Sequence, residues 1–269
     1  MSTTVRTIEL QDFADAFGEK LENLPISCVN TYKELADLNR FNYTVIEDRQ
    51  RDDLIVSVLN RIELDTQKIG SLERTDVWQK GWQENLDSFK NTHTIDALHP
   101  KYYRPFNIMR WQNQYIQPIS PTFEVDFLKV FQKWLFQYFK PFDNIYEFGC
   151  GSGLNLVELF NMYPEKNIFG SDFVDSSVGI ANELGKILKR NVSGFKFDMM
   201  HPNLDIKLLP NSAVFLSGAL EQLASQTEAF FNYLLENKPG ICVFIEPIIE
   251  VYDDKNLMDY LAIKFHKKR

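Results

Sequence analysis

Cysteine is scarce. Only Cys28, Cys150 and Cys242 occur in 269 residues, far apart in the chain. That scatter gives neither a metal-type spacing nor a disulfide framework. The expected state is three free thiols in a reducing, cytoplasmic setting. Basic charge is also short, with 29 Lys and Arg against 37 Asp and Glu for a net charge of −8. This argues against broad electrostatic capture of nucleic acid. The one dense basic run is Lys264, Lys267, Lys268 and Arg269, read as a solvated helix end. Long hydrophobic runs are missing too. No stretch approaches a membrane span, and Met1 to Arg6 leads into a polar segment without the apolar core of a leader. No His/Cys/Asp cluster stands out, so no metal is expected.

Glycine is sparse as well, twelve in all, yet three fall at alternate positions in Tyr146-Glu147-Phe148-Gly149-Cys150-Gly151-Ser152-Gly153. Asn144 to Phe148 reads as a buried strand and Leu154 to Phe160 as the start of a helix. Glycines at this junction free the backbone for positive φ and close approach. The helix start behind them offers unpaired N–H groups and a positive dipole end. Such a turn usually receives a nucleotide-like ligand at the carboxyl ends of parallel strands.

From Asn144 onward strands and helices alternate. Second, third, fourth and fifth strands are read at Asn167–Asp172, Gly194–Asp198, Ser212–Gly218 and Ile241–Pro247. Ser176 or Ser177 is expected to cap the helix after the second strand. A helix of about residues 225–237 precedes the Lys238-Pro239-Gly240 stop. Near-continuous apolar strands separated by helices imply an α/β fold with a parallel sheet covered on both faces.

The first 140 residues read as a helical, irregular extension. Leu10, Phe13, Phe17 and Leu21 recur at helical spacing, Leu35 to Leu38 reads as the start of a second helix, and Asp52 to Leu59 as a third. Trp78, Trp82, Leu86 and Phe89 put an apolar stripe on a fourth. Residues 98–123 break the pattern with prolines and concentrate Tyr103, Arg110, Trp111 and Tyr115, residue types found in small-ligand pockets. A helix returns from Pro121 to Lys140.

The glycine spacing narrows the ligand. A dinucleotide turn, G-x-G-x-x-G from Gly149 and Gly151, needs glycine at 154, which is Leu154. No G-K-[ST] follows, so a P-loop is excluded. The pattern Glu-x-Gly-x-Gly-x-Gly resembles instead the first motif of the class I S-adenosylmethionine (SAM)-dependent methyltransferases. The resemblance continues through Asp172, Asp198, Ser217-Gly218-Ala219-Leu220-Glu221 and the Lys238-Pro239-Gly240 turn, covering about residues 140 to 250. It implies a three-layer, Rossmann-like core at 141–269 behind a helical extension at 1–140 that acts as lid and substrate recognition. The family's sheet has seven strands. After Pro247 this chain has room for one helix, over Asp253–Lys268, so strands six and seven are expected to be missing and the core truncated.

The resemblance also implies roles. Gly149, Cys150, Gly151 and Gly153 would pass beneath the ribose and methionine parts of SAM, with Glu147 ordering the turn. Asp172 would accept the ribose hydroxyls, and bonds to a charged acceptor contribute roughly 1.5–3 kcal/mol net. Asp198 and Met199 would hold the adenine, with Phe173 against its face. Ser217 and Gly218 would lie near the methyl. The sulfonium is already activated, so positioning can carry most of the catalysis. His201 and Glu221 are the candidate bases. Gln222 joins Tyr103, Arg110, Trp111 and Tyr115 as a substrate contact. The expected reaction is methyl transfer to a small-molecule hydroxyl, a sugar or secondary metabolite. Nucleic acid and membrane are not expected partners, and a homodimer stands among the expected assemblies. A SAM-binding but non-catalytic subunit is the alternative reading, and an NAD(P)-dependent oxidoreductase the third.

Overall fold

A computed structural model describes residues 4–65 and 73–268. In chain order its strands are β1 (Arg6–Thr7), β2 (Asn42–Val45), β3 (Met109–Trp111), β4 (Gln114–Pro118), β5 (Asn144–Phe148), β6 (Asn167–Asp172), β7 (Val192–Lys196), β8 (Ser212–Ser217) and β9 (Ile241–Ile245). The helices are α1 (Leu10–Ala16), α2 (Ile26–Ala36), α3 (Asp48–Leu64), α4 (Glu73–Thr92), α5 (Phe123–Leu135), α6 (Leu154–Met162), α7 (Asp175–Leu188), α8 (Glu228–Asn237) and α9 (Leu257–Lys268).

The chain divides into two units that interleave along the sequence. The first comprises Met1–Asp65, Lys101–Tyr138 and Glu250–Lys268; the second comprises Thr66–Pro100 and Phe139–Ile249. This differs from a single boundary at residue 140. Two segments change sides, and each has a packing reason. The stripe on α4 buries Trp82, Leu86 and Phe89 against the parallel-sheet unit. Leu86 sits so close to Gly179 of α7 that a Cβ there would lie 2.9 Å from its Cδ2. The Ser176 hydroxyl, expected as a helix cap, instead donates to the Gln79 carbonyl of α4 at 3.0 Å. The other segment, α9, belongs with the first unit through Asp259, which pairs with Arg110.

In the first unit β1, β2, β4 and β3 form an antiparallel sheet in that order. The region read as helical thus also holds four strands. Beside them an aromatic core gathers Phe13, Tyr32, Phe41 and Phe123, with Phe127, Trp111 and Trp134 packed against it. Leu35–Leu38 does not start a helix; α2 ends at Ala36.

In the second unit all five strands are parallel, in the order β7-β6-β5-β8-β9. The α/β class and the parallel sheet expected from the sequence are both present. The central strand β5 is buried along its whole length, as a strand covered on both faces must be. Tyr146 and Phe148 point to one face, into a core with Phe197, Phe230 and Tyr233. Register pairs Glu147 with Gly170 of β6 and with Phe215 of β8. The chain winds from β5 outward through β6 to β7, then returns to place β8 on the other side of β5. The order therefore reverses between β5 and β8, the place where open α/β sheets receive ligands.

Candidate functional site

The turn after β5 is held by backbone bonds before any side chain acts. The N–H groups of Gly149 and Cys150 both donate to the Ser171 carbonyl, at 2.8 and 2.9 Å, and Gly153 N–H donates to the Cys150 carbonyl at 2.8 Å. This path needs φ of +74°, +51° and +73° at Gly149, Gly151 and Gly153, a region that L side chains rarely adopt. Gly153 then caps α6.

On its Cβ side each of the three glycines faces protein atoms. A Cβ on Gly149 would stand 2.4 Å from the Ala219 Cβ, one on Gly151 3.0 Å from the Trp82 ring, and one on Gly153 2.9 Å from Leu184. Protein atoms thus lie on the Cβ side of each glycine, and Trp82 is the neighbour that motif reading missed. Its signal was the apolar stripe of α4, read as packing or as part of a substrate lid. Gly218, just past β8, is different. Its φ is +64° and a Cβ there would meet nothing within 4 Å.

Two acids lie under the turn. Asp172, the last residue of β6, is 5% exposed. Its Oδ2 accepts the Gly151 N–H at 3.0 Å and its Oδ1 the Val174 N–H at 3.2 Å. Burial raises its pKa, opposed by these two N–H groups, the Ser177 hydroxyl and the Phe173 N–H. Glu147 is 1% exposed. Its Oε1 accepts from Asn155 Nδ2 at 2.7 Å, while Oε2 has no partner among the described residues. Burial pushes its pKa up to about 8 against the pull of Asn155, with Asp172 adding to the rise. Among the described residues no Lys, Arg or His pairs with either acid. The Cys150 thiol in the turn is likewise driven up by burial and by the two acids.

The remaining predicted residues fall into three groups. Around the turn, Met199 is buried, and Phe173 follows Asp172 with 38% of its surface exposed. Asp198 is not a strand end as read; β7 stops at Lys196. Its carboxylate is engaged locally, accepting the Met200 N–H at 2.8 Å and lying 3.0 Å from His201 Nδ1. His201 itself has an 80% exposed side chain. Past β8, Ser217 ends the strand and the Gly218 N–H donates to the Ile245 carbonyl at 2.8 Å. The helical turn that follows is capped by Glu246, which sequence reading missed although it directly follows β9 and precedes Pro247. Glu246 accepts the N–H groups of Ala219, Leu220 and Glu221 at 3.1, 2.9 and 3.1 Å. The Glu221 carboxylate accepts from Gln222 Nε2 at 2.9 Å, and Gln222 Oε1 is buried without a partner among the described residues.

Tyr103, Arg110, Trp111 and Tyr115 belong to the first unit, apart from Gln222 in the second. Arg110 and Tyr115 are committed to Asp259. Trp111 packs edge-on to Phe127 at 5.5 Å, and Tyr103 against Tyr102 at 4.8 Å. Among the described residues no three His, Cys, Asp or Glu side chains converge as a metal site would require, and no helix is long and apolar enough to cross a membrane.

No protein-family model and no curated protein matches this sequence. Among solved structures, similarity is found to the plantazolicin methyltransferase BpumL in complex with SAH, at 13% identity over 78% of this chain and 72% of that one, TM-score 0.37. A SAM-dependent methyltransferase from Aquifex aeolicus matches at 17% identity over 39% of this chain and 57% of that one, TM-score 0.34. A structure of the conversion of a disulfide bond into a thioacetal group during echinomycin biosynthesis matches at 14% identity, TM-score 0.32, over 38% of this chain and 43% of that one. In the last two cases this chain spans well under two thirds of the matched protein. Likenesses this distant do not decide function, which rests on the chemistry of the turn.

Proposed function

We propose that the second unit binds S-adenosyl-L-methionine between the carboxyl ends of β5 and β8 and that the chain transfers its methyl group to a small-molecule acceptor. One observation carries this reading. Two buried acids, Glu147 and Asp172, lie under a glycine turn at the sheet's switch point, and among the described residues no cationic side chain is paired to either. Buried carboxylates without a counter-charge are costly. They favour a ligand that carries positive charge and hydroxyl donors, and SAM has a sulfonium, an ammonium and a ribose diol. A dinucleotide pyrophosphate brings negative charge to the same acids, which disfavours the oxidoreductase reading.

The residues present fit the cofactor at its polar ends. Among the described residues Glu147 Oε2 has no partner, Asp172 stands buried at the end of β6, and a Cβ on Gly218 would meet open space. Asp172 would take the ribose hydroxyls and Phe173 would lie against the adenine. Asp198 and Met199 would serve the adenine edge, and Ser217 and Gly218 the methionine end. Gly149, Gly151 and Gly153 would let the turn pass beneath the ribose and methionine parts, while on their Cβ sides Ala219, Trp82 and Leu184 fix the turn's shape. The cofactor supplies an activated methyl; this chain's residues hold it and exclude water.

The acceptor is proposed to be a hydroxyl-bearing metabolite such as a sugar. Glu221 and His201 are the proton acceptors in reach of the strand ends by sequence. Both are engaged, by Gln222 and Asp198, which supports catalysis by positioning. It equally favours the second reading, a SAM-binding subunit without transfer. The free buried thiols Cys28 and Cys150 suit a reducing, cytoplasmic setting.

Calorimetric titration of the chain with SAM and with NAD tests the assignment. SAM is expected to bind, and Asp172→Ala to weaken it at least tenfold, about 1.4 kcal/mol. No SAM binding, tighter NAD binding, or an unaffected Asp172→Ala variant would sink it. SAM binding without methyl transfer to any of a broad panel of hydroxyl acceptors would select the non-catalytic reading.

A further inference from the structure

A cavity of about 150 Å³ opens in the first unit under the first turns of α3. Its walls are Val45, Ile46, Leu54 and Met258, and its polar rim is Arg51, Asn113, Gln114, Tyr115 and Asn256. A second concavity of about 300 Å³ shares Ile46 and Leu54 as a common wall and continues along Gln50, Asp53, Ile108 and Gln117. The cavity has a structural cause. Helix α3 is 17 residues long and carries Leu54, Ile55, Val58 and Leu59, yet buries none of its residues fully. It is held at its far end, where Lys268 of α9 donates to the carbonyls of Ile62 and Glu63. Its first turns are therefore left standing off the core.

Two amides of the rim are fixed, with their donors free among the described residues. Asn256 Oδ1 is used, accepting the N–H groups of Met258 and Asp259 at 3.0 and 3.4 Å at the start of α9. Asn113 Oδ1 is used, accepting from Arg110 Nη2 at 2.8 Å. These bonds fix both amides, so what each has left is its NH₂ group. The Tyr115 hydroxyl spends its proton on Asp259 at 2.9 Å. Arg51 is half-buried, and among the described residues its guanidinium makes no hydrogen bond or ion pair; the neighbouring Asp52 and Asp53 do not pair with it. It is the one charged side chain in the cavity lining. Left without a protein partner among the described residues, this guanidinium can take an incoming anion, and its planar fork matches a carboxylate. Spare donors, one cation and an apolar wall together specify an acceptor-bearing, negatively charged ligand with a flat apolar body.

We propose that this cavity is a binding site for a small carboxylate-bearing molecule, its carboxylate on Arg51 with Asn113 and Asn256 as flanking donors and its apolar body against Ile46, Leu54 and Met258. The site lies wholly within the first unit, and the proposal stands whether or not the second unit binds SAM.

The test is an NMR titration of the isotope-labelled full chain with benzoate, with benzamide as the neutral isostere and inorganic phosphate as the competing anion. Benzoate is expected to shift the Arg51 side-chain N–H and the side-chain amides of Asn113 and Asn256. Benzamide should bind at least tenfold more weakly, and phosphate should not reproduce the pattern. Arg51→Gln should lose at least tenfold in benzoate affinity while its melting temperature stays within a degree or two, because among the described residues the Arg51 guanidinium supports no bond. Shifts absent from these groups, equal binding of benzamide, an equal response to phosphate, or benzoate affinity unchanged in Arg51→Gln would each overturn the proposal. The wild-type comparison of benzoate with benzamide decides it even if the variant fails to fold.

Discussion

Asp259 in the first unit and Glu147 in the second are both 1% exposed carboxyls, and their surroundings are opposite. Asp259 accepts from Arg110 Nε and Nη2 at 3.0 and 2.8 Å, from the Tyr115 hydroxyl at 2.9 Å and from the Asp253 N–H at 3.0 Å. Burial pushes its pKa up, but Arg110, the Asp253 N–H and Tyr115 outweigh it and hold the group below the usual aspartate value. Glu147 has one donor, Asn155, and burial drives it to about 8. The contrast separates architecture from readiness. A buried acid with all its partners ties chain segments together. A buried acid short of partners stays protonated until a cation or a donor arrives.

The largest expected effect breaks the saturated side of this contrast. Asp259→Ala leaves Arg110 buried without its carboxylate and frees α9 from β3 and β4. The expected loss is about 3–5 kcal/mol in urea-induced unfolding of the first unit. A loss below 1 kcal/mol would show that the two acids are not different in kind.

The second effect turns the contrast into opposite pH dependences. Asp259 sits below its ordinary value of 3.8, so its stabilisation is present above that pH and lost as pH falls through the lower folded value. Glu147 sits above its ordinary 4.5, at about 8. Its stabilisation is full below pH 4.5, where both states are protonated. It is lost as pH rises toward 8, because the unfolded chain releases the proton first. Glu147→Gln keeps the neutral shape and removes this slope. The variant is expected to be about 1–3 kcal/mol more stable than wild type at pH 8 and nearly equal at pH 4.5. Identical pH profiles of unfolding would mean that Glu147 is already ionised and compensated.

These two acids also show what a sequence can disclose. Glu147 and Asp172 were visible because buried parallel strands read as apolar runs, and an acid at the end of such a run stands out. The five strands and the glycine turn followed from the same local signal. Asp259 was invisible. Its partner Arg110 is 149 positions away, and nothing near Leu257–Lys268 distinguishes a helix of the parallel-sheet unit from one that returns to the amino-terminal unit. The antiparallel sheet was missed for a related reason. β1 has two residues and β3 three, too short for a period of two to register, and β2 pairs with β4 across more than seventy positions. The glycines were legible as strained positions but not in what they face, since Trp82 reaches Gly151 from a helix some seventy residues upstream.

The smallest effect sharpens the comparison from outside it. Lys196 of β7 and Asp175 of α7 form an ion pair at 2.9 Å, nearly the 2.8 Å of Arg110 and Asp259, but their side chains are 61% and 74% exposed against 20% and 1%. If distance set the worth of a pair, the two would be equal. Water screens the exposed charges, and ordering two mobile side chains offsets much of the Coulomb gain. Lys196→Ala is therefore expected to change unfolding stability by less than about 0.5 kcal/mol, with little further change at 1 M salt. A loss above 1 kcal/mol, or one that disappears with salt, would mean that exposure is not what separates the Asp259 pair from the rest of the charged surface. It would then have to be the bidentate guanidinium geometry, which Lys196 lacks.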